Sequence, residues 1–268
     1  MNLSGQVRKM KVEPQAPIQY FLDLNKESHS LNSYIGNKLK IKWEGVITCV
    51  ECGRKTKKSY DQGYCFVCSR DLPENEMCSV RPELCEHENG NDAAKEFWRT
   101  YCNIDHFVYL SLTSGVKVGI TRHYNIPDRW IDQGAVKGLI IAKVPERILS
   151  GKIETAVSKN FADKTNWRKM LKSEYEDLDL LEYREKAHEL FPEDLKCYAL
   201  ENEEIQELVY PVESVPEKIT SHNLEKNPEF EDRLTGIKGQ YLIFETRVIN
   251  IRKYSGYHLQ FDFLDTDE

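Results

Sequence analysis

The chain has 268 residues, with 37 basic and 44 acidic side chains, a formal charge of -7, eight cysteines and 40% apolar residues. That composition excludes a disordered, collagen-like or coiled-coil chain and suffices for one large or two modest domains. Apolar runs such as 138–142 fall far short of the roughly 20 residues a membrane span needs, and the opening residues lack the apolar core of a secretory signal. The expectation is a soluble cytoplasmic protein with no membrane partner, whose cysteines serve metal rather than disulfides.

In chain order, residues 1–48 read as β-rich. Residues 6–12 and 18–24 alternate, and residues 38–43 alternate strictly, placing Leu39, Ile41 and Trp43 on one face and three lysines on the other. Residues 49–106 hold every cysteine except Cys197 and show little periodicity, so they need a staple rather than a core of their own. From Phe107 the pattern changes: 107–112 and 116–121 read as strands of a hairpin turning at 113–115. Pro127 opens a short helix through Asp132, and 138–144 is a third strand. Pro145 is placed at the first position of a helix carrying Leu149, Ile153, Ala156 and Val157, up to about Phe161. Another helix is expected from Trp167, with the acidic stretch behind it also helical. The tail from Val209 is β again, with runs at 241–252 and 257–264. Two or three strands alone are marginal, so both β-rich ends are expected in one domain, with Leu39, Ile41 and Trp43 packed on Leu242, Phe244, Val248 and Ile249. The fold class is α+β, divided into 1–48 (β-rich), 49–106 (cysteine-rich), 107–207 (mixed, with an acidic helical extension) and 208–268 (β-rich).

The charge is uneven. Residues 173–207 carry thirteen acids and three bases, a local -10 that leaves the rest of the chain at +3. Residues 38–70 carry eight bases against three acids. Such a patch suits phosphates, whose neutralisation releases counterions, although a solvated face has the same composition.

Cys49 and Cys52 form one Cys-x-x-Cys pair, and Cys65 and Cys68 form another after twelve residues. Each pair converges two thiolates from one tight turn, and two pairs complete the tetrahedron zinc prefers, as in a zinc ribbon. With no open coordination position, the role of that zinc is structural. A redox pair explains one Cys-x-x-Cys but not two at this spacing. Cys78, Cys85, Cys102 and His106 are candidates for a second zinc, with His87 as a substitute, and Cys197 reads as a core residue.

Residues 106–110 (His-Phe-Val-Tyr-Leu) and 117–121 (Lys-Val-Gly-Ile-Thr), followed by Arg129, Glu154 and Asn166, resemble the GIY-YIG nuclease superfamily over about 107–170. The chain also resembles an uncharacterised bacterial family of conserved hypothetical proteins. That likeness is carried by the cysteine pairs and residues 80–84, 117–122, 129–135, 165–167 and 236–241. The nuclease resemblance implies that Tyr109 acts near the attacking water, that Arg129 meets the phosphate, and that Glu154 holds Mg2+ or Mn2+. Lys117 stands where the second tyrosine of the motif belongs and Phe107 replaces its leading glycine. Gln133, one turn after Arg129, faces the same way. Duller readings also apply: strand packing for Tyr109, a pair with Asp128 or Asp132 for Arg129, a solvated charge for Glu154 and a helix cap for Asn166.

Three functions remain. The first is a zinc-containing, nucleic-acid-directed protein that cleaves DNA or RNA with a divalent cation at Glu154. The second is a non-catalytic zinc-stabilised module of the same fold, and the third a scaffold binding only proteins.

Overall fold

The computed structural model describes residues 1–161 and 165–264. The class is α+β with three antiparallel sheets. No helix among the described residues is long and apolar enough to cross a membrane. The chain divides into two units, Met1–Arg70 with Val209–Glu268, and Asp71–Leu208. Residues 49–106 are therefore shared: the four Cys-x-x-Cys residues fall in the first unit, and Cys78, Cys85 and Cys102 in the second.

The first unit opens with β1 (Asn2–Gln6), β2 (Lys11–Glu13), β3 (Gln19–Leu24), β4 (Glu27–Ser30) and β5 (Lys38–Ile47). The alternation in β5 does what a period of two requires, with Leu39 and Ile41 buried and Lys38 and Lys42 exposed. Residues 7–10 are not a strand, so the expected strand at 6–12 is split between the end of β1 and β2. After β5 the chain enters the cysteine segment and then the short helix α1 (Phe66–Asp71).

The second unit runs α2 (Asp92–Phe97), β6 (His106–Leu112), β7 (Val116–Arg122), α3 (Asp128–Asp132), β8 (Lys137–Val144), α4 (Arg147–Ser158), α5 (Trp167–Leu171), α6 (Leu180–Glu189) and β9 (Gln206–Glu207). Its sheet has the order β7-β6-β8-β9. One face, with Val108, Leu110, Leu112, Leu139 and Ile141, packs on Ile153 and Val157 of α4 and on Leu180 and Ala187 of α6. On the other, Tyr109, Trp130, Ala135 and Ile140 form a smaller cluster. Gly138 makes room for it, since a Cβ there would stand 2.4 Å from the Trp130 ring. Helix α4 starts at Arg147, leaving Pro145 outside it. Proline has no N–H to continue the β8 ladder, so it ends the strand instead of opening the helix. The acidic stretch is helical only over α6 and a 3-10 turn at Glu193–Tyr198, with Pro192 between them.

The chain then returns to the first unit with β10 (Glu229–Lys238), β11 (Tyr241–Phe244), β12 (Val248–Asn250) and β13 (Tyr257–Leu264), giving the sheet order β1-β13-β5-β10-β11-β12. Trp43, Ile41 and Leu39 lie opposite Leu259, Phe261 and Phe263 of β13, so β13 rather than β11 or β12 is the strand beside β5, and strands from both ends of the chain share one sheet. The other neighbour of β5 is β10, whose acid-rich start (Glu229, Glu231, Asp232) hid it as a strand. A register shift between Leu234 and Gly236 also breaks its alternation.

Candidate metal centres and polar site

The four-cysteine cluster is built by local turns. The Cys49 N–H donates to Arg54 O at 2.9 Å and the Gly53 N–H to Cys49 O at 3.0 Å, closing the first turn. Gly53 has φ +71°, a conformation that favours glycine. A bridge between Tyr60 and Tyr64 precedes the second pair, where the Cys68 N–H donates to Cys65 Sγ at 3.5 Å. The four Sγ atoms all lie within 4.8 Å of one another, with Cys52 and Cys65 3.8 Å apart. A tetrahedral zinc with sulfur at about 2.3 Å sets sulfur–sulfur edges of about 3.8 Å, so the group is able to hold Zn2+. Burial opposes a thiolate at Cys49, but backbone N–H groups of Cys52, Cys65 and Glu51 outweigh it and lower its pKa to about 6. Cys65 is lowered by the Cys68 N–H, whereas burial and the neighbouring thiols push Cys68 up. Four crowded thiolates cannot all ionise without a cation, and a bound zinc removes that conflict.

The second cluster has no regular spacing. The Sγ atoms of Cys78 and Cys85 and a ring nitrogen of His87 lie within 4.8 Å of one another, a group also able to hold Zn2+. His87 Nδ1 is 3.8 Å from Cys78 Sγ, 3.6 Å from Cys85 Sγ and 3.9 Å from Cys102 Sγ. Cys85 and Cys102 are 4.0 Å apart. A tetrahedral zinc sets sulfur–nitrogen edges near ~3.6 Å, which suits Cys78, Cys85 and His87, with Cys102 adjacent to that group. His87 Nε2 meets Glu76 Oε2 at 2.9 Å, a carboxylate–histidine contact that leaves Nδ1 for a metal, although Cys78 Sγ stands 3.7 Å from Nε2 as well. Hydrogen bonds from Cys102 and Cys78 lower Cys85 to about 2, while the same contacts push Cys78 and Cys102 up. Arg147 of α4 favours both remaining thiolates, hydrogen-bonds Cys102, and donates to Ser79 O at 3.1 Å.

His106 does not join this cluster. As the first residue of β6 it is buried, with Nδ1 bonded to Ile104 O at 2.8 Å. Burial lowers its pKa to about 4, and the charged groups it feels are Arg147, Arg122 and His123 rather than thiols. The structure thus places His87 where the sequence reading put His106 first.

A third group lies at the edge of the second unit's sheet. Tyr109 is fully buried and crosses the neighbouring strand at Gly119, where a Cβ would come within 2.6 Å of its hydroxyl. That hydroxyl donates to Gln133 Oε1 at 3.2 Å and is also hydrogen-bonded by Arg129. Burial raises the Tyr109 pKa. It also opposes the Arg129 charge, but Tyr109, Asp132 and Glu154 outweigh it and the net shift is upward. Glu154 acts on both groups and lines a groove of about 220 Å³ with Arg81, Glu83 and Val118.

With these arrangements in hand, comparison with known proteins finds that residues 36–259 match the family described as Protein of unknown function (DUF2797). The chain belongs to the DUF2797 family. No curated protein and no solved structure matches it. The match meets the resemblance to an uncharacterised family, whereas the comparisons give no support to the GIY-YIG resemblance.

Tyr109, Arg129 and Gln133 therefore come together in this DUF2797 chain, while Glu154 of α4 bears on Tyr109 and Arg129 through its charge. Lys117 lies two residue pairs further along the hairpin, opposite Ser111. Asn166 serves as a cap, its Oδ1 accepting from the N–H groups of Arg168 and Lys169. Cys197 is exposed on the 3-10 turn, which buries Leu195 instead, so it is not the core residue expected. Glu76 and Arg147 escaped sequence reading, since nothing in their spacing ties them to cysteines.

Proposed function

We propose that this DUF2797 protein is a zinc-stabilised, nucleic-acid-directed protein whose second unit acts on a phosphodiester with Mg2+ or Mn2+. One zinc is held by Cys49, Cys52, Cys65 and Cys68, and a second by Cys78, Cys85, His87 Nδ1 and Cys102. The hydrogen bond between Tyr109 and Arg129, with the charge of Glu154 acting on both, carries the phosphodiester reading. A half-buried guanidinium that keeps its charge suits a phosphoryl oxygen, and a half-buried carboxylate on a groove suits a hard cation that retains most of its waters. Glu154 would hold that cation, which supplies charge neutralisation and an acidified water. Lys117 is assigned to phosphate contact beside the hairpin.

The test is cleavage of DNA and RNA, single- and double-stranded, with Mg2+ or Mn2+. Wild type is expected to cut at least one polymer, and Glu154→Ala to lose cleavage at least 100-fold while zinc content stays unchanged. The second reading, a binding module without turnover, rests on the Tyr109 hydroxyl being enclosed and already bonded to Gln133 and Arg129. It is the correct one if wild type cuts none of these substrates.

A further inference from the structure

The basic stretch at 38–70 divides into two halves. Lys40 and Lys42 lie 3.8 and 2.6 Å from Glu229 carboxylate oxygens, so that half is largely neutralised. Arg54, Lys55 and Lys57 are exposed, and among the described residues they form no ion pair. Beside them Lys58 sits 4.5 Å from the centroid of the Tyr60 ring, and that ring meets Phe66 edge-on at 5.6 Å. Phe66 is 55% exposed on the first turn of α1, with the Arg70 guanidinium 5.7 Å from its centroid. Two aromatic rings flanked by cations thus stand on the module that carries the four cysteines.

Within 49–70 five bases face two acids, Glu51 and Asp61. At the module's foot the Arg8 guanidinium donates to Val50 O and the Arg252 Nε to Gln62 Oε1. These two charges keep the face positive beside a zinc–tetrathiolate group of about -2. A protein-docking surface is typically a contiguous apolar core with charged residues kept to its rim. Here the apolar part is little more than one aromatic pair, and cations adjoin it. An exposed ring between cations suits an unstacked base flanked by phosphates, which a single strand offers and a closed duplex does not.

We propose that this face of the four-cysteine module binds single-stranded nucleic acid, stacking bases on Phe66 and Tyr60 and meeting phosphates with Arg54, Lys55, Lys57 and Lys58. It deepens the nucleic-acid reading but does not depend on the Tyr109 cluster.

The test uses the zinc-loaded full-length protein without added Mg2+ or Mn2+, and a labelled 12-nucleotide single strand followed by fluorescence anisotropy across a salt series. The Arg54→Ala, Lys55→Ala, Lys57→Ala triple variant is expected to flatten the slope of log affinity against log salt by about 2, at roughly 0.7 per phosphate contact. Phe66→Ala is expected to bind about 5- to 100-fold more weakly at fixed salt with the slope retained, and Phe66→Trp to bind like wild type. Zinc content equal to wild type shows that each module is intact. The proposal is overturned if wild type does not bind the strand, if both alanine variants bind like wild type, or if they lose a protein partner while oligonucleotide binding is unchanged. Cleavage that depends on Glu154 and persists in any of those cases leaves the phosphodiester site standing.

Discussion

The two cysteine clusters are made in different ways. In the first, each pair of ligands is delivered by a single turn, closed by the Gly53 N–H on Cys49 O and by the Cys68 N–H on Cys65 Sγ. In the second, Cys78, Cys85, His87 and Cys102 come from separate short turns. What seats them lies outside those turns: Arg147 of α4 reaches Ser79 O, and Gly151 lets Glu83 approach so closely that a Cβ would stand 2.7 Å from its backbone nitrogen. Spacing specifies a ligand set when one tight turn links the ligands. When packing chooses among neighbouring donors, spacing only bounds the choice.

Removing metal gives the largest effect and tests the contrast directly. Structural zinc in small modules contributes apparent free energies on the order of 10–16 kcal/mol, most of it folding energy. Cys49→Ala is expected to remove one equivalent of zinc and to open the amides of 49–70 to hydrogen exchange, while amides of the second unit stay protected. Full protection of 49–70 in that variant would break the comparison, because the local turns would then stand without the ion.

The next effect separates the two histidines. His87→Ala is expected to remove the second equivalent of zinc, whereas His106→Ala keeps both, as metal analysis of the purified variants would read. The reverse result would hand the site to His106 and the original sequence choice.

These contrasts show what was legible. The Cys49, Cys52, Cys65, Cys68 set was readable because the turn is the site. Strand β5 was readable because its alternation matched burial, with Leu39 and Ile41 in and Lys38 and Lys42 out, and the β6–β7 hairpin because two apolar runs flank a Ser-Gly turn. Strand β10 was not, since its first half spends charged residues on an ordered ladder and a register shift breaks the rest. His87 could not be preferred over His106 because the Glu76 carboxylate on one ring nitrogen comes from a separate turn and the Ile104 carbonyl on the other histidine, although local, is not implied by spacing.

A pH experiment sharpens the histidine assignment. Burial lowers the His106 pKa from an ordinary value near 6.5 to about 4. Between those values the unfolded chain binds a proton that the folded one refuses, so stability present above pH 6.5 falls as the pH drops toward 4. The loss approaches about 3 kcal/mol at the acid end. His106→Gln is expected to flatten that part of the curve for the second unit, followed by denaturant unfolding at pH 7 and pH 4.5. An unchanged slope would mean that His106 is not the neutral buried ring described.

The smallest effect bears on what seats the second cluster. Glu76 holds His87 Nε2 at 2.9 Å and so leaves Nδ1 to Cys85 and Cys102, with Cys78 Sγ about equally far from both ring nitrogens. Removing such an outer carboxylate commonly costs 10- to 100-fold in metal affinity without abolishing binding. Glu76→Ala is therefore expected to weaken the second zinc by about that factor in competition with a chelator and to leave the first unchanged. Glu76→Gln, which still accepts from Nε2, should recover much of the loss. Equal weakening of both zincs would show that Glu76 acts through general stability. No weakening would show that the thiols alone orient the ring, and the second cluster would then resemble the first more closely than its packing implies.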